Sequence, residues 1–227
     1  MTRFPGFRPA AFAWFQELEE HNERDWFHAH RATYEREVRG PLEALLEHGA
    51  ARAGGVVHLA RQNRDTRFSH DKSPYKTRTY GVVHERPGSQ AGLYAEVSAD
   101  GLFAGGGYYM LLADQLERYR AAVLSERSGP ALTEAVAQVE AAGAEVFGEA
   151  LKRAPRGIDP NHPRVRLLRH RMLVAGGRLA PRARGISARA GLAHVERMWD
   201  AIAPLNAWLD AHVGASTLEP RRRRGRR

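Results

Sequence analysis

Apolar residues recur at helical spacing through the first fifty positions. Pro9 suits a first helical turn, and Phe12, Phe15 and Leu18 follow it three residues apart. Asn22 is placed to cap a second helix, with Asp25 in its first turn beside the positive end of the helix dipole. Trp26, His30, Tyr34 and Val38 then repeat every fourth residue. Gly40-Pro41 is expected to break this helix and open a third, turning Leu42, Leu45 and Leu46 inward with Gly49 near its end.

The period shortens after residue 55. Residues 56–59, 79–84, 93–97 and 102–103 read as strands, and Asp100-Gly101 suits a tight hairpin turn because both positions tolerate positive φ. Gly105-Gly106-Gly107 is expected to interrupt the last strand before Tyr108-Tyr109. Helical spacing returns over 114–124 through Leu116, Tyr119 and Val123, then after Pro130 through Leu132, Val136 and Val139, with Gly143 closing. Residues 144–158 show no clear period. A short basic helix over 165–170, a loop over 176–185 and a long amphipathic helix over 190–213, kinked or broken by Pro204, complete the chain. These elements predict an α+β fold: a central, mainly antiparallel sheet from residues 56–110, packed by helices from both ends of the chain. The expected organisation is one domain over 1–214 and a disordered arginine-rich tail over 215–227, where like charges repel.

Composition changes this picture in three places. The chain has no cysteine, which excludes disulfides, thiol catalysis and cysteine-ligated metals, and fits a reducing, cytoplasmic setting. No apolar h-region opens it, and no run approaches the roughly 18 apolar residues of a membrane span, so no membrane partner is expected. The net charge of +9 is mostly the tail: removing the six arginines of 221–227 leaves 29 cations against 26 acids. Within the remainder, segment 61–78 holds six cations and two acids, segment 152–189 eleven and one, and the rest twelve cations against 23 acids. An acidic body with two basic segments points to a focused anion site more than to a general polyanion surface.

The first basic segment carries the candidate chemistry. It reads Arg61-Gln-Asn-Arg64-Asp65-Thr-Arg67-Phe68-Ser-His-Asp71-Lys72-Ser-Pro-Tyr75-Lys76. The chain has three lysines against 32 arginines, and two of the three stand here, five positions inclusive apart. Lysine is a compact point charge that loses its proton when desolvated, whereas arginine is a permanently charged planar fork. If the strand at 56–59 continues to 68, alternation puts Arg61, Asp65 and Arg67 on one face and Arg64 and Phe68 on the other. Asp65 would then hold a guanidinium in a fixed rotamer, ready for a bidentate guest. Ser73-Pro74 imposes an extended or turn geometry, aiming Lys72 and Tyr75 from the strand's end. Arg61, Arg64, Arg67 and Lys76 are the candidate ligand-binding cations for phosphate or carboxylate. Lys72 as clamp or base, Tyr75 as proton donor and Asp65 are the candidate catalytic groups. The alternative is an internal Arg–Asp network that holds strands to a neighbouring helix and binds nothing.

The pattern Arg61-x-x-Arg64-Asp65-x-Arg67-Phe68-x-x-Asp71-Lys72-x-x-Tyr75-Lys76 resembles the signature of a mainly bacterial family catalogued as domain of unknown function 2461. The resemblance covers about residues 4–210 and includes Asn22-Glu-Arg-Asp-Trp26-Phe27, Tyr34, Pro41 and Gly105-Gly106-Gly107-Tyr108. It implies an α+β domain of this length with a shared site around the motif, and no particular reaction, substrate or cofactor. The chain departs from the family in carrying His21-Asn22 where a pair of asparagines is expected.

Other signals are weaker. The glycine run can form a backbone anion nest, or simply allow close packing; it matches neither the phosphate-loop nor the dinucleotide pattern. His28 and His30 point to opposite sides of their helix, and His162 and His170 sit in a basic segment, so no metal and no cofactor are expected. The second basic cluster, Arg164, Arg166, Arg169, His170 and Arg171, is either a solvated face or a surface that closes over the motif, with Arg169 completing the anion pocket. A small anionic ligand is therefore the expected partner. Nonspecific nucleic acid, contacted through 152–189 and the tail, is the competing one. The sequence does not fix the oligomeric state.

Overall fold

The computed structural model describes residues 3–84 and 89–218. A two-residue strand, β1 (Gly6–Phe7), leads into α1 (Pro9–Glu20), which buries Phe12, Phe15 and Leu18 as the spacing predicts. Helix α2 (Arg24–Thr33) passes through a π-helical segment (Tyr34–Arg39) directly into α3 (Gly40–Ala53). The expected break at Gly40-Pro41 is therefore absent. Proline in a helix removes one hydrogen bond and crowds the preceding turn. Here the Gly40 N–H already bonds back to the Glu35 carbonyl, five residues away, so the ladder is widened just where Pro41 enters. Gly54, at φ 71°, ends α3 in the left-handed conformation.

Six antiparallel strands follow: β2 (Val56–Leu59), β3 (Arg78–His84), β4 (Gly92–Ser98), β5 (Gly101–Tyr108), β6 (Glu145–Phe147) and β7 (Leu173–Leu179). Their order is β2-β3-β4-β5-β7-β6. The β4–β5 hairpin pairs Ser98 with Gly101, so its two turn residues are Ala99 and Asp100, one position earlier than expected. The sheet also extends beyond the expected 56–110. Gly105–Gly107 lies inside β5, and β7 runs into the expected loop over 176–185 as far as Leu179. Glycine is a poor strand former, but Gly105 and Gly176 pair across β5 and β7 and leave room for the Phe103 ring. Gly106 instead admits Ile202 and Asn206 of the last helix, so the run serves close packing.

Helix α5 (Gly129–Ala141) packs on β6, α4 (Ala113–Leu124) packs on α5, and the single turn α6 (Val165–Leu168) packs on α4. Strand β8 (Ile186–Ser187) pairs with β1, and α7 (Ala188–His212) runs unbroken through Pro204. The Ser187 hydroxyl caps α7 by accepting from the Ala190 N–H. Helices α3 and α7 cover one face of the sheet: a side chain at Gly81 would meet Leu46, and one at Gly177 would meet Met198. Residues 215–218 are tied to α4, with Thr217 N–H donating to Asp114 at 2.8 Å and Arg118 donating to the Ala215 carbonyl at 2.8 Å. The rest of the expected disordered tail, from 219, lies outside the described residues. Among the described residues no helix is long and apolar enough to cross a membrane.

Candidate functional site

Strand β2 stops at Leu59, and the expected continuation through Phe68 does not form. The chain instead makes a loop closed at its base by an antiparallel bridge between Asn63 and Tyr75. Short polar side chains replace the strand ladder with local bonds. Asp65 accepts from Arg67 Nε at 2.9 Å and Nη2 at 2.7 Å. Asp71 accepts from Ser73 N–H at 2.9 Å and Ser73 Oγ at 2.6 Å, and pairs with Arg64. These donors hold the Asp71 carboxyl well below the usual carboxylate range, the Ser73 hydroxyl most and Arg64 next. Asp65 and Arg67 do share a side, as alternation predicts, although the backbone is not a strand.

Two amides fasten this loop to the body. Asn22, expected as a helix cap, leaves that position to Glu23 and instead pairs with the backbone of Tyr75. Its Nδ2 donates to the Tyr75 carbonyl and its Oδ1 accepts the Tyr75 N–H, both at 3.0 Å. Gln62 is buried and donates to the carbonyls of Lys76 and Arg78. Its Oε1 accepts from Thr79 Oγ1 at 2.8 Å and Tyr34 OH at 3.3 Å. A side-chain amide has both a donor and an acceptor, so it can serve a backbone as a strand would. The Tyr75 ring, 4% exposed, stacks on Phe27 with centroids 4.0 Å apart and planes 15° off parallel.

Between this loop, α1 and β3 opens a cleft of about 670 Å³. Glu19, Asn22, Arg64, Asp65, Asp71, Ser73, Tyr75, Lys76, Thr77, Arg78 and Tyr80 line it. Of the sequence candidates it gathers Arg64, Asp65, Tyr75 and Lys76. It does not gather the others. Lys72 Nζ donates to the Thr66 carbonyl at 3.0 Å, Arg67 is exposed beside Asp65, and Arg61 gives only its carbonyl, to Lys76. Arg169 is elsewhere, its Nε donating to the Leu151 carbonyl at 2.6 Å. Of the two alternatives for the second basic cluster, closure over the motif is not found: none of its residues lines the cleft. Arg164, Arg166 and Arg171 pair instead with Glu126, Glu140 and Glu149. Trp26 stacks on His30 at 4.2 Å, away from the cleft lining.

The positive charge within the cleft is unevenly neutralised. Arg64 has Asp71, but Lys76 Nζ donates to two neutral carbonyls, of Arg61 and of Asn63 at 3.1 Å. Burial, then repulsion from Arg61 and Arg78, pushes the Lys76 ammonium below its ordinary pKa. Arg78 shares one carboxylate, the buried Glu96, with Arg178, at 3.3 and 3.2 Å. Tyr94 OH also donates to Glu96, at 2.6 Å, and burial raises the Tyr94 pKa far above its usual value. Arg78, Glu96, Arg178 and the two amides escaped the sequence reading. Their advance signals were Arg78 at the end of the basic run, Gln62 inside it, and Asn22, which reads as a helix cap and belongs to the family resemblance. Among the described residues no group of three or more His, Asp or Glu is placed to hold a metal ion.

Every cleft residue lies between positions 19 and 80. The family described as conserved hypothetical protein (DUF2461) matches residues 10–208, which takes in the whole site and the sheet behind it. The chain belongs to this family. No curated protein matches it. The DUF2461 match stops short of the tail, so the tail's six arginines are not part of the shared domain.

Proposed function

We propose that the cleft binds a small molecule through an anionic group, phosphate or carboxylate, held by Lys76 and Arg78 with Arg64 at the rim. The observation that carries this reading is the local state of two cations in a concave site of ligand size: among the described residues no carboxylate pairs with Lys76 and Arg78 has half of one, while the lining acids Asp71 and Asp65 are engaged by Arg64 and Arg67 and Glu19 of α1 is the third. A bound anion would remove the repulsion between Arg78 and the partly desolvated ammonium.

The test is a thermal-shift panel of phosphate, citrate and a neutral sugar on the full chain. Phosphate or citrate raises Tm, the sugar does not, and Lys76→Met and Arg78→Gln each abolish the rise. The reading fails if neither phosphate nor citrate moves the wild-type Tm at roughly 10 mM, where any site with a Kd of about 1 mM or tighter stabilises the fold.

A second reading has its own support. Each motif cation except Arg61 donates to a group of the same chain, the pattern of an internal network. Its pairs, however, are largely exposed, Asp65 and Arg67 at 49% and 71%, and exposed pairs hold little fold energy. The nucleic-acid reading is weakened by the carboxylates that individually neutralise Arg164, Arg166 and Arg171.

A further inference from the structure

One face of the sheet carries α3 and α7; the other carries rings. Gly81, Ala95, Ala104 and Gly177 form the cross-strand row under the helices. The adjacent row, Tyr80, Glu96, Phe103 and Arg178, must point to the opposite face, because side chains alternate along every strand. Four aromatic rings cross that face. Tyr80 and Tyr94 are 5.6 Å apart, Tyr94 and Phe103 5.9 Å, and Phe103 and Phe147 5.7 Å. Gly105 and Gly176 form the floor under Phe103, since a Cβ at either would stand 2.8 or 2.3 Å from its ring. Cations flank the row: Lys76 Nζ lies 5.4 Å from the Tyr80 centroid and the Arg178 guanidinium 5.5 Å from that of Phe103.

Tyr80 belongs both to this row and to the cleft lining. Resting on the anion-binding reading above, we infer that the ligand is a nucleotide: its phosphate lies between Lys76 and Arg78, and its base stacks on Tyr80 where the aromatic row begins. A cleft of about 670 Å³ suits a molecule of that size. The two contacts are coupled through one side chain. Lys76 now covers the Tyr80 ring and is held by carbonyls, so a phosphate that draws its ammonium aside also uncovers a stacking face. A ring bound there meets a half-buried aromatic on a sheet face that carries no helix among the described residues, and base–aromatic stacking strengthens binding roughly tenfold per base.

The experiment is calorimetric titration of the full chain with inorganic phosphate, ribose 5-phosphate and AMP, and with a thymidylate decamer. AMP is expected to bind about tenfold more tightly than ribose 5-phosphate. Tyr80→Leu, checked for folding by circular dichroism, brings AMP down to the ribose 5-phosphate affinity, and Tyr80→Phe restores the difference. If AMP and ribose 5-phosphate bind alike, the nucleotide assignment is wrong while the anion site stands. If phosphate, ribose 5-phosphate and AMP all fail to bind, the nucleotide assignment falls, and the citrate arm of the thermal-shift panel decides whether the anion site stands. A decamer that binds when AMP does not would make the face a reader of single strands and overturn the assignment. Should Tyr80→Leu not fold, the wild-type comparison of AMP with ribose 5-phosphate decides alone.

Discussion

At the scale of single residues, the loop is held by amides more than by charges. Asn22→Ala strands the N–H and carbonyl of Tyr75, and unsatisfied buried groups cost ~1–3 kcal/mol. Asp65→Ala removes an exposed pair worth under about 1 kcal/mol. Urea denaturation of the two variants is expected to rank them in that order, and the reverse order would favour the ion-pair network. Lys76 gives a second residue-scale prediction. Its ammonium attracts an anion only while protonated, so affinity is expected to fall as pH rises through its lowered folded-state pKa. In the free protein the sign is opposite. Between that value and the ordinary lysine pKa the unfolded chain holds the extra proton, so this group favours folding more as pH rises across that window. Titrating phosphate at several pH values checks the first, and Lys76→Arg should move the loss of affinity to higher pH. The sequence made the cluster of charges legible. It could not show that Asn22 meets Tyr75, 53 positions away, because an amide that caps a helix and an amide that pairs with a distant backbone look the same in one dimension.

At the scale of elements, helices were easier to read than strands. The stripes Leu42–Leu45–Leu46 and Leu132–Val136–Val139 are buried where their period puts them. Glycine misled in the sheet: Gly105–Gly107 and Gly176–Gly177 look like interruptions, yet neighbouring strands and the Phe103 ring make their small size useful. The same principle operates where α3 meets α7. A Cβ on Gly49 would stand 2.7 Å from the Trp199 ring, whose Nε1 donates to the Tyr94 carbonyl at 3.1 Å. Alanine is the better helix former by about 1 kcal/mol. Overpacking costs ~1–3 kcal/mol, and here it also threatens a hydrogen bond into the sheet. Gly49→Ala is therefore expected to be net destabilising in urea denaturation; a stabilised variant would show that Trp199 has room to move.

At the scale of the molecule, total charge was legible and its partners were not. Segment 152–189 is strongly basic in sequence, yet Arg164, Arg166 and Arg171 find Glu126, Glu140 and Glu149, on or beside other elements that no spacing rule connects to them. Strands β6 and β7 joined the sheet from equally far along the chain. The densest run of positive charge in the sequence is the six-arginine stretch at 221–227, outside both the DUF2461 match and the described residues. Phosphate contacts release counterions, so the salt slope of binding counts the cations engaged. Deleting 221–227 is expected to lower the log–log salt slope of nonspecific duplex DNA binding by up to about 5, at roughly 0.9 per cation. The same deletion is expected to leave phosphate titration of the cleft unaltered, since the cleft residues lie between 19 and 80. A truncated chain that kept its full salt slope would place DNA contact on the folded body. It would also reopen the aromatic sheet face as a surface for polymers, because Lys76, Arg78 and Arg178 already stand there.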